Sequence, residues 1–512
     1  MARDFSNPPA ARAAADLQYA WRVLSVTGLG MTVAFMNVSM VPVALPDMVG
    51  DLRAGPVQSD WFLLAYQLVT AILMMPMARV SDIAGRRTMY VGGLALICVS
   101  SCAIALAPDP SVVIGFRALQ GLGAAAVIVN TTALLADAFP PSMVAVGIGY
   151  NVTIMSAAIA VGPVFGGWLT VTFGWRGVFA LTVPIALVGS LWAAHTLRRG
   201  WQVDTSLLRH FDLAGTIAIG IGLGGLVLAV SMSGPRGWGD PVVLVAAAAT
   251  ILGGLAFWVI ERRVSAPILD FALFRSRYRA HAYGSTALLT LGQTSIAIIV
   301  SLYLQSAAGL SALDAGLYLT AQAAGNVATA GIAGRLAARV QTRVLATAGT
   351  LGVLGSMLAM AAMFSTGYLG WGIALGLFAF GFASGFFVTP NAAAINVGVE
   401  PHQRGMANGF RVAIDNSGMM LSSALALLLV TLSLPAAVKP DAIGGRIEEL
   451  TAGQRADFLD AFPTALLLLS IFVLLAGGVS ASRGRDPEMA SGPAVRTTAA
   501  TVSSEALEKE GS

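Results

Sequence analysis

The sequence has little charge: Asp, Glu, Lys and Arg make up 11% of its 512 residues, against about 25% in an ordinary soluble domain. A chain so poor in charge cannot cover a water-facing surface, which excludes a soluble globular fold. Histidine is scarce too, with four in the chain, at positions 195, 210, 281 and 402. They stand apart and off ligand spacing, so no metal site is expected and a membrane-embedded enzyme has no cluster of catalytic groups to work with. No cofactor is expected either. The two cysteines, Cys98 and Cys102, lie four apart in one apolar run; without CxxC spacing they fit helix packing better than a disulfide or a metal site. The first twenty residues, MARDFSNPPAARAAADLQYA, lack the apolar core of a cleaved signal peptide, so the first hydrophobic run is expected to stay as a helix.

What is present is apolar surface, at 56% of residues, in runs that reach the roughly 20 residues needed to cross a bilayer. Breaking the chain at turn residues and charges predicts fourteen spans, near 21–46, 60–80, 88–107, 112–136, 144–171, 177–197, 211–232, 241–261, 281–304, 314–338, 344–365, 369–394, 407–434 and 461–480. An even number puts both termini on one side of the membrane. Of the 30 Lys and Arg residues, 22 fall in the tails and loops of that side and six on the other, with Arg117 and Arg411 inside spans. The positive-inside rule makes the termini cytoplasmic. The net charge of +4 follows from this bias, so nucleic acid is not an expected partner, and the bilayer is. The Ala/Ser/Thr-rich tail is expected to be disordered.

Two short basic turns echo each other. ARVSDIAGRR (78–87) follows the second span and GRLAARVQTR (334–343) follows the tenth. They become equivalent if a six-helix unit is used twice with two helices inserted between the copies, a common plan in transporters. The expected fold is therefore all-α integral membrane, with 14 transmembrane helices in two six-helix pseudo-symmetric bundles plus two inserted central helices. The expected divisions are an N-terminal tail (1–20), the first bundle (21–197), the inserted pair (198–261), the second bundle (262–480) and a C-terminal tail (481–512).

Several segments carry a resemblance. In ARVSDIAGRR, Asp82, Gly85, Arg86 and Arg87 sit where a loop signature between helices two and three places them; FRALQGLGAA carries Arg117, Gln120, Gly121 and Gly123; GYNVTIMSAAIAVGPVFGG carries Gly149, Gly162, Pro163, Gly166 and Gly167. WRGVFALTVP (175–184), PILDFALFR (267–275) and GLSALDAGL (309–317) add connecting segments. Over residues 20 to 430 the chain resembles the fourteen-helix drug:proton antiporter branch of the major facilitator superfamily. The resemblance implies a monomeric multidrug efflux transporter of a bacterial plasma (inner) membrane. Such a protein moves a small amphipathic substrate outward against protons by alternating access. A proton-independent facilitator or lipid and metabolite exporter of the same fold is the alternative.

The residues allow more than one reading at each site. Ala158, Gly162 and Gly166 share one helix face and let a neighbour approach closely, while Pro163 removes a backbone donor and bends the helix. This is either a pivot for antiport or plain helix packing. Asp82 either latches neighbouring helices through Arg86 or Arg87, or sits in a solvated turn. Arg117 lies about seven residues, roughly 10 Å, from the turn at Pro108–Pro110. It either snorkels to the interface or faces a central chamber.

The family's first helix carries an acid that is taken to bind the coupling proton, but here the segment reads MNVSMVPVALP, with Asn37 at that position and Pro42 expected to add a break. An amide releases no proton near neutral pH. The clearest remaining acid within a span is Asp415, four residues after Arg411 on one helix face. This is either a self-neutralising pair or a tuned proton carrier, and coupling is assigned to Asp415, Arg411 and Arg117. Phe35, Met36, Asn37, Tyr66, Gln67, Gln120, Tyr150, Met155 and Phe410 are the candidate substrate-cavity walls, and each could equally pack between helices.

Overall fold

In the computed structural model, residues 9–140, 143–198, 212–264, 276–337, 340–367, 370–396, 404–435, 438–443 and 450–484 are described, together with Val399. The segment 267–275 and the tail from 485 lie outside the described residues. The chain forms helices α1 Pro9–Leu52, α2 Pro56–Ala84, α3 Arg86–Ala105, α4 Pro110–Ala138, α5 Val144–Phe173, α6 Arg176–Thr196, α7 Leu213–Arg236 and α8 Pro241–Glu261. It continues with α9 Arg277–Gln293, α10 Ile296–Leu302, α11 Ala312–Ala337, α12 Thr342–Ser365, α13 Trp371–Asn396, α14 Arg404–Thr431, the short α15 Lys439–Ile443, and α16 Ala452–Ala481.

Thirteen segments among the described residues are long and apolar enough to cross a membrane. One of them joins α9, α10 and the π turn Tyr303–Ala307. The more polar α11, at 26 residues, is the fourteenth helix of membrane length. Helix starts follow from local chemistry. Pro110 and Pro241 occupy first turns, where the missing N–H costs nothing, and the Asp109 and Asp240 carboxylates accept from the backbone N–H groups that follow. Thr451 and Gln454 cap α16 reciprocally.

Several boundaries differ from the sequence expectation, among them the start of α16, at Ala452 rather than near 461. Helix α1 starts at Pro9, inside the expected tail, because AARAAADL is rich in strong helix formers. Pro42 and Pro46 lie inside α1 without ending it; membrane helices tolerate proline where neighbours satisfy the freed groups. The expected single helix at 281–304 is interrupted at Thr294–Ser295, where the Ser422 hydroxyl accepts the Ser295 backbone N–H.

The packing repeats. Helices α2–α4, α3–α4, α3–α6, α1–α5 and α1–α6 pair in the first half; α11–α13, α12–α13, α12–α16, α9–α14 and α9–α16 are their counterparts in the second. Between halves, α5 meets α11 and α2 meets α14, two contacts that exchange under the same correspondence. Helix α7 packs on α2, α14 and α8. The inserted pair therefore sits against the α2–α14 seam.

Because spans alternate in direction, Pro9 and Ala481 lie at one face, called here the termini face. Toward the opposite, distal face a single apolar core runs through both halves, joining Val41, Leu45 and Phe179 to Ile299, Leu302 and Leu319. Toward the termini face the cores are separate: Val23, Tyr90 and Leu135 in one half, Tyr278, Tyr283 and Ile395 in the other. The halves are joined distally and divided at the termini face.

Candidate functional site

Arg117 of α4 is 1% exposed. Its Nε donates to the Phe62 carbonyl at 2.9 Å and its Nη1 to Gln120 Oε1 at 2.7 Å. The guanidinium carbon lies 4.5 Å from the Tyr66 ring centroid. Gln120 in turn donates to Ser101 Oγ at 2.7 Å and to Asn37 Oδ1 at 3.2 Å. The structure therefore corrects both expectations for Arg117: it neither snorkels nor opens onto a chamber. Its neighbours are neutral acceptors and a π face, which offset the cost of a buried cation without an anion. Asn37, at 2% exposed, completes that network from the position where the family carries an acid. Replacing it with leucine leaves Gln120 short of an acceptor, at an expected cost of about 1–3 kcal/mol. The cost reads out as a lower thermal midpoint of the purified chain, with Asn37→Asp as the variant that keeps the acceptor.

In the second half, Arg411 Nη1 and Asp415 Oδ2 of α14 are paired at 2.6 Å, with side chains 26% and 32% exposed. Thr290 of α9 donates to the other carboxylate oxygen at 3.3 Å. Unlike Arg117, this pair keeps access to solvent-sized space, and it sits midway along a helix that touches the other half: Asn416 lies 3.9 Å from Met74 Sδ of α2. A carboxylate there can hold or release a proton as its surroundings change.

The glycine motif of α5 divides into different contacts. Gly149 has open space around it. Gly162 and Gly166 lie against Ser39 and the Met40 backbone of α1, within the same half. Gly167 lies against the Ala312 carbonyl of α11, and Gly316 of α11 against the Pro163 carbonyl. These last two form a backbone-to-backbone contact across the halves, near the distal face.

At the termini face, Gly85 (φ 90°) makes the turn between α2 and α3, a conformation that favours glycine. Arg86 pairs with Asp137 of α4, and Arg87 donates to the Ala194 carbonyl of α6. The Asp82 side chain lies outside the described residues. Among the suggested cavity walls, Tyr66 is buried with its hydroxyl on the Ala34 carbonyl. Phe35 and Met36 pack beside the apolar cores, Gln67 and Met155 are half-buried, and Tyr150 is exposed against Trp21. Phe410 lines a cavity. The structure does not gather these residues into one chamber.

One cluster was not found from the sequence. Asp60 of α2 (8% exposed) and Ser231 of α7 meet near the distal face, and Lys439 of α15 (3% exposed) lies near enough for its charge and that of Asp60 to act on each other. Ser231 donates to the Asp60 carboxylate at 3.0 Å. Burial pushes the Lys439 ammonium below its ordinary range, and the Asp60 charge pulls it back up. The available signal was an acid directly before Trp61 in a long apolar run. Removing the Lys439 charge leaves the buried Asp60 carboxylate with the Ser231 hydroxyl but without a nearby cation, so Lys439→Met is expected to destabilise more than Lys439→Met combined with Asp60→Asn, measured by thermal midpoints.

Residues 27–202 and 282–499 match the family model described as Major Facilitator Superfamily. The multidrug resistance protein Stp of Mycobacterium tuberculosis is 30% identical over 419 residues, covering 81% of this chain and 77% of that one. The cephamycin export protein CmcT of Amycolatopsis lactamdurans is 32% identical over 385 residues, covering 73% and 77%. Among solved structures, a peptide transporter POT in complex with sulfate has a TM-score of 0.63 at 12% identity, over 91% of this chain and 96% of that one. A bacterial homolog of the human lysosomal transporter Spinster, inward-facing and occupied, has a TM-score of 0.62 at 15% identity, over 91% and 97%. At these identities the structural likeness extends to the fold.

Proposed function

The chain belongs to the Major Facilitator Superfamily, and from that premise we propose that it exports amphipathic drug-like or secondary-metabolite molecules across a bacterial plasma membrane by proton antiport. The named exporters among its relatives support the substrate class. With the termini in the cytoplasm, the distally joined halves correspond to a state open to the cell interior, ready to load cargo. Alternating access then requires the distal core to part as the termini-face ends close. The protein works as a monomer with no cofactor.

The observation that carries proton coupling is Asp415: a partly exposed carboxylate in the middle of α14, paired with Arg411 and bonded by Thr290. Cargo binding beside it would shift the balance between the protonated acid and the ion pair, linking proton and substrate occupancy.

A proton-independent facilitator is favoured by Asn37, which removes the acid from the first helix. Proteoliposomes holding the full chain and ethidium separate the two. Antiport gives uphill ethidium movement when a pH gradient is imposed; the facilitator gives the same equilibration with or without the gradient.

A further inference from the structure

The seam of α2, α7 and α14 is filled at one end and empty at the other. Its distal half is packed solid by Leu64, Leu68, Val227, Val230 and Leu428. Its termini-side half holds a cavity of about 310 Å³. The walls are Ile72 and Pro76 of α2, Leu223 and Leu226 of α7, Leu291 of α9, and an α14 face running through Phe410, Ala413 and Ser417. Phe257 of α8 also lines it. Thr216 and Ser417 bring the only side-chain hydroxyls among the described lining residues, and the Thr216 hydroxyl is already bonded to the Asp212 carbonyl. A cavity this apolar repels water and takes hydrocarbon.

We propose that this cavity binds the apolar part of the exported amphiphile, distinct from any polar contact at Asp415, and that it loads from the lipid at the α2–α14 seam. The proposal rests on the export reading above. Three observations select cargo over a permanent filler. The walls come from both halves and from the inserted pair, so the space changes when the halves rock; a constitutive filler would sit within one rigid unit. The cavity lies in the half of the seam where the cores are divided, so closing the termini-face ends brings α2 and α14 together and expels the contents. It also backs onto the ion pair: Ile414 lines it beside Asp415, and Leu291 lines it beside Thr290, which bonds that carboxylate. An amphiphile seated here keeps its polar end within reach of the Arg411–Asp415 pair. The inserted helices thereby gain a role as the outer wall of a lateral entrance.

The test uses the full chain in phosphatidylcholine nanodiscs, with rhodamine 6G and Nile red as probes and anisotropy as the readout. Ala413→Phe from one wall, and Leu223→Trp from the opposite wall, fill the cavity; Val245→Phe, on the exposed face of α8 and outside the lining, leaves it as it is. Each filling variant is expected to weaken dye binding about tenfold or more, equivalent to about 1.4 kcal/mol, while Val245→Phe binds as the wild type does. Unchanged binding in both folded filling variants overturns the proposal. So does labelling of the α7 and α14 peptides by a diazirine-tailed phosphatidylcholine that neither dye displaces, which would make the occupant a membrane lipid. Dye export by wild-type vesicles separates the two levels. Export that persists in both filling variants sinks the cavity alone, whereas a wild type that neither binds nor exports either dye sinks the export reading with it.

Discussion

Asp415→Asn is expected to reduce pH-driven ethidium uptake into everted vesicles to the level of vesicles lacking the protein. The asparagine is nearly isosteric and still accepts from Thr290, so helix packing is kept while the exchangeable proton is lost. Dye exchange without a gradient is expected to continue, because the substrate path itself is untouched. The competing explanation is that Arg411 and Asp415 merely neutralise each other, and that Asp415→Asn fails because it strands a cation in the membrane, where the cost reaches about 2.5–3.5 kcal/mol at the centre. A double variant, Arg411→Gln with Asp415→Asn, separates these. A self-neutralising pair predicts recovery of driven uptake once both charges are gone, since deleting both partners of an ion pair is often close to neutral. A proton carrier predicts no recovery. Retained uptake in the single variant, or recovery in the double, removes Asp415 from the coupling role.

The spans were legible because run length and loop charge are local properties: each apolar run had to find lipid, and each basic turn had to stay on one side. The doubled plan was legible from one echo of basic turns, since the chain reuses the same turn chemistry in both halves. The environments of single side chains were not. Arg117 looked costly in isolation, and its compensation comes from Phe62, Tyr66, Ser101 and Asn37 on other helices. The Asp60–Lys439 cluster joins residues far apart in sequence, one of them on a loop helix whose position depends on tertiary packing. The seam cavity was hidden for a related reason: Phe410 stood among the candidate cavity walls, but Ala413 and Ser417 read as an ordinary apolar helix face, and only the stacking of α7 against that face turns it into a wall.

Gly167→Leu is expected to pry the distal ends of α5 and α11 apart and to shift the resting protein toward its distally open state. A side chain at Gly167 meets the Ala312 carbonyl and the start of the next residue's backbone, neither of which can swing aside as a flexible side chain does. Overpacking of this kind costs about 1–3 kcal/mol. Borne only by the distally closed state, that changes the ratio of the two states about 5- to 150-fold. Spin labels at Val171 and Leu317, both exposed and near the distal ends of the two helices, read the change as a longer inter-label distance in the unliganded protein. Export falls in step, because the state that loads from the cytoplasm is depleted. The controls lie within the same motif. Gly149→Ala has open space and leaves distances and export unchanged, whereas Gly166→Ala meets the Met40 carbonyl at 2.9 Å within one half and lowers stability without moving the labels. If Gly167→Leu kept the wild-type distance while Gly166→Ala lengthened it, the pivot would lie between α5 and α1, inside the first half, rather than at the contact between halves.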